Sequence, residues 1–97
     1  MSDPLADDAI ADALEQLPLW RREGDALIAT FRMRDFSEAL GFIVRVGIEA
    51  ERLNHHPEIT NVWNRVTLRL TTHDAGNRIT RRDLELAAAI SRLFAGG

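Results

Sequence analysis

Residues 26–57, ALIATFRMRDFSEALGFIVRVGIEAERLNHHP, change their hydrophobic period part of the way along the stretch. Up to Met33 apolar side chains tend to alternate with polar ones, which is the pattern of a β-strand with one buried face. From Phe36 they recur at the spacing typical of an amphipathic helix. Asp35 is followed by a glutamate at capping-box spacing, so we predict that the helix begins near Phe36. It must end before Pro57, because the residue that precedes a proline is disfavoured in a helix.

The predicted helix is apolar over more than one face. Its core-facing stripe is expected to consist of Phe36, Ala39, Leu40, Ile43, Val46, Gly47, Ala50 and Leu53. Phe42, Val44 and Ile48 are also apolar and lie outside that stripe. A helix of this composition usually contacts more than one layer of structure. We therefore predict that it joins copies of the chain into a homodimer or homotetramer, while deep burial within its own small fold stays open as the alternative.

Periodicity on both sides of this stretch completes the order of elements. The remaining segments are, in chain order, a helix from about Leu5 to Leu17, strands at Leu19–Glu23 and Ala26–Met33, strands at Asn61–Trp63 and Val66–Thr72, and a helix from about Arg81 to Phe94. The order α-β-β-α-β-β-α predicts an α+β fold, with a four-stranded antiparallel sheet and helices packed on one face. With 97 residues the chain is near the lower edge of domain size, so residues 1–97 are expected to form one domain.

The composition disfavours several classes of function. The chain has no cysteine, which removes disulfides, thiolate nucleophiles and cysteine-ligated metal sites. Its 12 basic residues are all arginine and are scattered along a chain of net charge -3, so direct nucleic-acid binding is disfavoured. Residues 1–8 are acidic and contain no signal-peptide pattern, and the apolar stretches are far shorter than a membrane span. We expect a cytoplasmic protein without membrane contact.

Three histidines stand out among the polar residues. His55 and His56 lie side by side before Pro57, where the helix meets a strand, and His73 follows the last predicted strand. Adjacent imidazoles are poor core residues, because each one needs partners for two ring nitrogens. Histidine titrates close to neutral pH and can therefore give and take protons. One interpretation is a catalytic pocket lined by all three, and the other is a set of exposed loop histidines.

Other polar and aromatic residues also have more than one interpretation. Glu51, Asp74 or Asp83 would complete a metal site with the histidines, but the spacing matches no zinc signature, so no metal is predicted. Asp83 also occupies the third position of the last helix, where an aspartate serves as a cap regardless of function. Trp20 and Trp63 are either core or edge aromatics or a wall for a flat heterocycle.

Four short motifs run through the second half of the chain. They are Glu51-x-x-x-His55-His56-Pro57, Asn61-Val62-Trp63-Asn64, Thr71-Thr72-His73 and Asp83-Leu84. Together they resemble the pterin-4a-carbinolamine dehydratase family, and the resemblance extends over roughly residues 14–93. Further similar positions are Trp20, Phe31-x-x-x-Asp35-Phe36 and Gly41-Phe42. The loop between His73 and Asp83 departs from the family pattern, since it is longer and lacks the common Gly-Leu-Thr form.

The resemblance implies a reaction and its residues. Members of the family remove water from a 4a-hydroxytetrahydropterin and give the quinonoid dihydropterin, which is recycled after aromatic amino-acid hydroxylases have acted. The implied catalytic residues are His55, His56 and His73, of which the first and last exchange protons and His56 orients the pterin. The implied substrate-binding residues are Glu51, Asp83, Trp20 and Trp63, of which Glu51 and Asp83 either fix the tautomers of the histidines or contact the pterin ring. The reaction involves no redox change, so no cofactor is expected and the pterin is the substrate.

The resemblance also implies partners. Family members assemble as dimers or tetramers, some act as dimerisation partners of transcription factors, and related proteins assist the assembly of a carbon-fixing enzyme. The alternative function is therefore a non-catalytic module that binds a protein partner through the apolar second helix and a sheet edge. Relatives with assembly roles tend to lose the histidines, and this chain keeps all three, which favours catalysis.

Overall fold

The helices and strands follow each other in the order that periodicity predicts. A computed structural model, which describes residues 3–96, contains α1 (Asp7–Leu14), β1 (Arg21–Glu23), β2 (Ala26–Arg32), α2 (Phe36–Leu53), β3 (Glu58–Val62), β4 (Arg65–Leu70) and α3 (Arg81–Gly96). A short 3-10 turn at His73–Ala75 lies between β4 and α3. The predicted α-β-β-α-β-β-α arrangement with a four-stranded antiparallel sheet is confirmed.

Strands β2 and β4 form the centre of the sheet, whose strand order is β1-β2-β4-β3. Their antiparallel register pairs Leu27 with Leu70, Ala29 with Leu68 and Phe31 with Val66. Because side chains alternate between the two faces of a strand, these six project from one face, and all six are buried. The same core contains residues of α2 and α3, namely Ala39, Phe42, Val46, Ala50, Leu86, Ala87 and Ile90.

Both ends of α2 are capped. At the start, the Asp35 carboxylate accepts a hydrogen bond from the Glu38 backbone N–H at 2.8 Å, which confirms the predicted start of the helix. The Glu38 carboxylate accepts in turn from the Arg34 N–H at 2.8 Å. At the end, Asn54 adopts the left-handed conformation with a φ of 52°, and the next backbone N–H donates to the Ala50 carbonyl at 3.0 Å. This cap stops the helix and redirects the chain immediately after it.

The buried side of α2 agrees only in part with the predicted stripe. The stripe members that are buried or half-buried are Ala39, Ile43, Val46, Ala50 and Leu53. Phe36, Leu40 and Gly47 are exposed, so the prediction that they face the core is wrong. The helix is therefore rotated about its axis relative to the expectation from periodicity.

An aromatic cluster accounts for this rotation. Phe42 is almost completely buried, although periodicity places it outside the stripe. Its ring centroid lies 5.0 Å from that of Phe31 on β2 and 5.9 Å from that of Phe94 on α3. A phenylalanine buries a large apolar area and gains further from edge-on or tilted aromatic contacts. Burial of Phe42 is therefore favoured over burial of Leu40 or Gly47.

Four large apolar side chains of α2 remain in contact with solvent. Their exposed fractions are 46% for Phe36, 44% for Leu40, 60% for Val44 and 63% for Ile48. Since they recur every four residues, they form one continuous band, which we name the outer α2 stripe. Among residues 3–96 no helix is both long enough and apolar enough to cross a membrane. An exposed apolar band of this kind is typical of an interaction surface.

The β3–β4 hairpin turns at Trp63 and Asn64. Strand β3 begins at Glu58, earlier than the predicted strand, and lies at an edge of the sheet. Trp63 has a φ of 51°, a left-handed conformation that is uncommon for an aromatic residue. The Asn61 side-chain amide stabilises the turn by donating to the carbonyls of Trp63 at 3.1 Å and Arg65 at 2.9 Å.

Candidate active site

The ends of three elements meet around one pocket. The cap of α2 leads into His55, the end of β4 leads into His73, and α3 begins after the loop that follows. The pocket has a volume of about 220 Å³. Its lining residues are Asn54, His55, His56, Thr71, Thr72, His73, Asp74 and Arg82. The fold therefore brings all three histidines to one pocket, although His55 and His73 are 18 residues apart in the sequence.

His55 is held against Asp83 in the interior. His55 Nε2 lies 2.5 Å from Asp83 Oδ1, and Asp83 has no exposed surface. A hydrogen bond to a carboxylate is stronger than a neutral one, and dry surroundings strengthen it further. The Nδ1 atom of His55 has no hydrogen-bond partner in residues 3–96. Every buried polar side-chain atom in these residues does have a partner, so Nδ1 is not a buried atom. Nδ1 is therefore accessible from the pocket.

The second carboxylate oxygen of Asp83 is also hydrogen-bonded. Oδ2 accepts from the Thr80 backbone N–H at 2.9 Å and from the Thr72 hydroxyl at 2.8 Å. The first of these is the capping bond that the position of Asp83 in α3 predicts. The Thr80 hydroxyl completes the cap by accepting from the Arg82 N–H at 3.2 Å. Asp83 thus both caps α3 and positions His55. The longer loop before Asp83 does not separate its side chain from that of His55.

The other two histidines are more exposed than His55. His56 Nε2 lies 2.8 Å from Glu51 Oε1, and both of these side chains are exposed. His73 begins the exposed 3-10 turn, which is tied to the end of β4 by backbone hydrogen bonds to the Thr72 carbonyl. His56 and His73 are therefore in contact with solvent, whereas solvent reaches His55 only through the pocket.

The carboxylates near the histidines act as hydrogen-bond partners of the rings. Asp83 contacts His55 and Glu51 contacts His56, so each carboxylate occupies one ring nitrogen. Within residues 3–96 no group of three or more histidine, aspartate or glutamate side chains is arranged to hold a metal ion. Imidazoles that are oriented by carboxylates around a pocket are typical of acid–base chemistry.

Both tryptophans lie apart from the pocket lining. Trp20 is buried in the core, where its indole N–H donates to Ser91 Oγ at 3.0 Å and its ring lies edge-on to Phe31. Trp63 is 64% exposed at the β3–β4 turn. The position of Trp20 is explained by packing, as the core interpretation of the sequence expects. Contact of Trp20 and Trp63 with substrate stays a prediction.

Two pocket residues, Thr72 and Arg82, are not singled out for a chemical role by the sequence. The Thr72 hydroxyl contacts Asp83, and the Arg82 guanidinium donates to the backbone carbonyl of Asn54 at the end of α2. Thr72 had a usable signal, since it is a polar residue at the end of a strand directly before His73. Arg82 had no such signal in the sequence, because its partner is a backbone carbonyl and no pattern of side chains identifies that contact.

Known proteins are similar to this chain over most of its length. A family model described as pterin 4 alpha carbinolamine dehydratase matches residues 3–93. A protein of Opitutus terrae, provisionally named pterin-4-alpha-carbinolamine dehydratase, is 50% identical over 84 residues, 87% of each chain. A protein of Rhizorhabdus wittichii with the same provisional name is 48% identical over 93 residues, 94% of this chain and 95% of its own. A crystal structure described as a transcriptional coactivator/pterin dehydratase from Brucella melitensis matches with a TM-score of 0.88 and 33% identity, over 94% of this chain and 98% of that one.

Proposed function

Because the chain belongs to the pterin 4 alpha carbinolamine dehydratase family, we infer that it is a hydro-lyase that removes water from a pterin 4a-carbinolamine. We propose that the reaction yields the quinonoid dihydropterin, that it supports pterin recycling, and that it proceeds by general acid–base catalysis in the histidine pocket. The observation that carries this mechanism is the buried His55–Asp83 pair, whose histidine lines the same pocket as two exposed histidines.

The elimination requires two proton transfers. The bond between C4a and the hydroxyl oxygen breaks, and the departing hydroxyl takes up a proton and leaves as water. The proton on N5 goes to a base, and the electron pair that it leaves forms the double bond between C4a and N5. The substrate loses only water, so the step balances without an oxidant or a reductant. One acid and one base beside the same ring are sufficient.

We assign the base to His55. With Nε2 on Asp83, the ring presents Nδ1 to the pocket, where a neutral imidazole carries its lone pair. When Nδ1 takes the N5 proton, the ring becomes an imidazolium. The Asp83 carboxylate stabilises that charge in the interior and keeps the ring in its orientation.

His73 and His56 complete the proposed site. His73 is exposed at the rim, so it can be protonated by solvent and donate to the departing hydroxyl. His56 is held by Glu51 and leaves one ring nitrogen for a hydrogen bond that orients the pterin. In this proposal Glu51 and Asp83 act on the substrate through the rings that they hold.

The proposed activity is tested with 4a-hydroxytetrahydropterin and purified protein. Ultraviolet absorbance should show that micromolar protein accelerates conversion to the quinonoid dihydropterin beyond the spontaneous rate. Heat-denatured protein serves as the control, because it contains the same imidazoles without the pocket. A native protein that gives no more acceleration than the denatured control would reject the dehydratase function.

Replacement of His56 by glutamine should weaken substrate binding more than it slows turnover. The loss of one orienting hydrogen bond corresponds to a rise in KM of about tenfold, with kcat changed by less than about threefold. Steady-state kinetics over a range of pterin concentrations measures both constants. If kcat falls as steeply as KM rises, His56 takes part in proton transfer and the division of roles among the histidines is wrong.

The outer α2 stripe supports a second proposal, which concerns association. We propose that a second copy of the chain covers the stripe and that the protein is a homodimer or homotetramer. The support is its four exposed apolar side chains in one band, whose contact with water is unfavourable. A module that binds a different protein through the same stripe is the alternative function. It is favoured by the description of the Brucella melitensis neighbour as both coactivator and dehydratase.

A double substitution, Val44→Glu with Ile48→Glu, should dissociate the proposed oligomer. Buried carboxylates without partners cost several kcal/mol, so the charges would keep two stripes apart. Light scattering coupled to size-exclusion chromatography measures the mass of the wild type and of the variant. Ala11→Glu, which adds a charge to an exposed position of α1, should leave the mass unchanged. A monomeric wild type, or a variant that keeps the wild-type mass, contradicts self-association through the stripe.

A further inference from the structure

A chain of hydroxyl groups lies behind the pocket and ends on Asp83. Thr72 Oγ1 is 2.8 Å from Asp83 Oδ2 and 2.7 Å from Thr80 Oγ1. Both threonines and Asp83 are buried. The other end of the chain is the Arg82 backbone N–H, which donates to Thr80 Oγ1 at 3.2 Å. Each hydroxyl therefore has one neighbour on either side and little access to water.

The two ends fix the direction of every hydrogen bond in this chain. A backbone N–H can only donate, so Thr80 Oγ1 accepts from Arg82. Thr72 donates its single hydroxyl proton to Asp83 Oδ2, so it has none left for Thr80. The Thr80 hydroxyl must consequently donate to Thr72 Oγ1. All donors point the same way, towards the carboxylate.

The direction of these hydrogen bonds determines whether Asp83 or His55 donates the hydrogen bond between the two side chains. Oδ2 receives two hydrogen bonds, one from Thr72 and one from the Thr80 backbone, and both stabilise the ionised carboxylate. An ionised carboxylate only accepts, so the proton between Oδ1 and His55 Nε2 belongs to the ring. The neutral His55 imidazole then carries its lone pair on Nδ1, the nitrogen that is accessible from the pocket.

We propose that Thr72 is a positioning residue for the dehydration, whose hydroxyl acts through Asp83 to hold His55 in the tautomer with the proton on Nε2 and the base on Nδ1. The expected effect on turnover rests on the proposed function. The expected tautomer of His55 in the wild type does not, since it follows from the hydrogen bonds alone.

Three substitutions separate the hydroxyl from the shape of the side chain. Thr72→Val removes the hydroxyl and keeps the branched shape, whereas Thr72→Ser keeps the hydroxyl and removes a methyl group. The matched control is Thr67→Val on β4, which removes a hydroxyl that contacts Thr30 across the exposed face of the sheet. Nitrogen-15 NMR of the imidazoles at mildly alkaline pH reports which ring nitrogen of His55 carries the proton, and steady-state kinetics reports kcat and KM.

The wild type, Thr72→Ser and Thr67→Val should all show His55 protonated on Nε2, with similar turnover. In Thr72→Val the Asp83 carboxylate keeps only one donor on Oδ2, so it is held less firmly and leaves His55 Nε2 without its acceptor for part of the time. The ring should then show a mixture of tautomers, and kcat should be lower by about tenfold or more, with KM within about twofold. A wild-type ring protonated on Nδ1 overturns the proposal, even if Thr72→Val does not fold. Wild-type behaviour of Thr72→Val, or failure of Thr72→Ser to restore the tautomer, also overturns it. If the wild type lacks dehydratase activity, the proposed function fails separately and the tautomer alone decides this inference.

Discussion

His55→Gln should remove most of the dehydratase turnover while the fold persists. The glutamine amide can donate to Asp83 Oδ1 as the imidazole does, so the buried carboxylate keeps a partner. The amide does not titrate near neutral pH and therefore cannot accept the N5 proton. We expect kcat to fall by about 10²- to 10⁴-fold, the range of a lost general base. The pterin absorbance assay, with the spontaneous rate subtracted, measures this fall.

His55→Gln should keep the wild-type fold and the ability to bind a pterin. Far-ultraviolet circular dichroism of the variant should match the wild type, and its melting temperature should change far less than that of Asp83→Ala. Equilibrium binding of a non-reactive dihydropterin should also persist, because His55 acts on the proton of the substrate. A kcat within about threefold of the wild type would move the base away from His55 and leave His73 as the candidate.

Asp83→Ala should damage stability as well as turnover. The substitution leaves the Thr80 backbone N–H and the Thr72 hydroxyl without their acceptor in the interior. We expect the free energy of unfolding to fall by about 2–4 kcal/mol, the usual cost of breaking a buried network of this kind. Turnover should fall by about 10²-fold or more, because the His55 ring loses the partner that orients it. Urea denaturation and the pterin assay measure the two effects.

Asp83→Asn separates the two duties of this side chain. The asparagine oxygen can still accept from Thr72 and Thr80, so most of the stability should remain. Its NH₂ group would face His55 Nε2 and favour the opposite tautomer, so turnover should fall nearly as far as in Asp83→Ala. Asp12→Ala, at an exposed position of α1, is the control and should change stability by less than about 0.5 kcal/mol. Full turnover in Asp83→Asn would mean that the tautomer of His55 is irrelevant to the reaction.

Local patterns in the sequence account for most of the fold. Asp35 and Asp83 mark helix starts correctly, because a cap depends only on residues a few positions apart. Alternation also identifies the buried face of β2 and β4. The rotation of α2 was not predictable in this way, because Phe42 is buried by contacts with aromatic residues distant in sequence. Periodicity shows that a helix has an apolar side, but partners on other elements decide which apolar residues are buried.

The candidate site was predictable to a similar degree. Its histidines could be identified from their residue type and their places at the ends of elements, and the capping role of Asp83 followed from its position. Asp83 and His55 are 28 residues apart, and their contact joins the start of α3 to the end of α2. The only sign of this contact in the sequence was the family resemblance. Thr72 was identified only as a member of the Thr71-Thr72-His73 motif, without a role of its own. Its proposed role lies in the direction of its hydrogen bond, which depends on Thr80 and Arg82 as well.

The cap at the start of α3 has an evolutionary consequence. Selection for a stable helix and selection for turnover act on one carboxylate, since Asp83 serves Thr80 and His55 together. A lineage that no longer needed the reaction could lose His56 and His73 at little structural cost, because both are exposed. It could not lose Asp83 so easily. Inactive descendants should therefore keep this aspartate long after the exposed histidines have been substituted. The aspartate would then be a remnant of the ancestral active site.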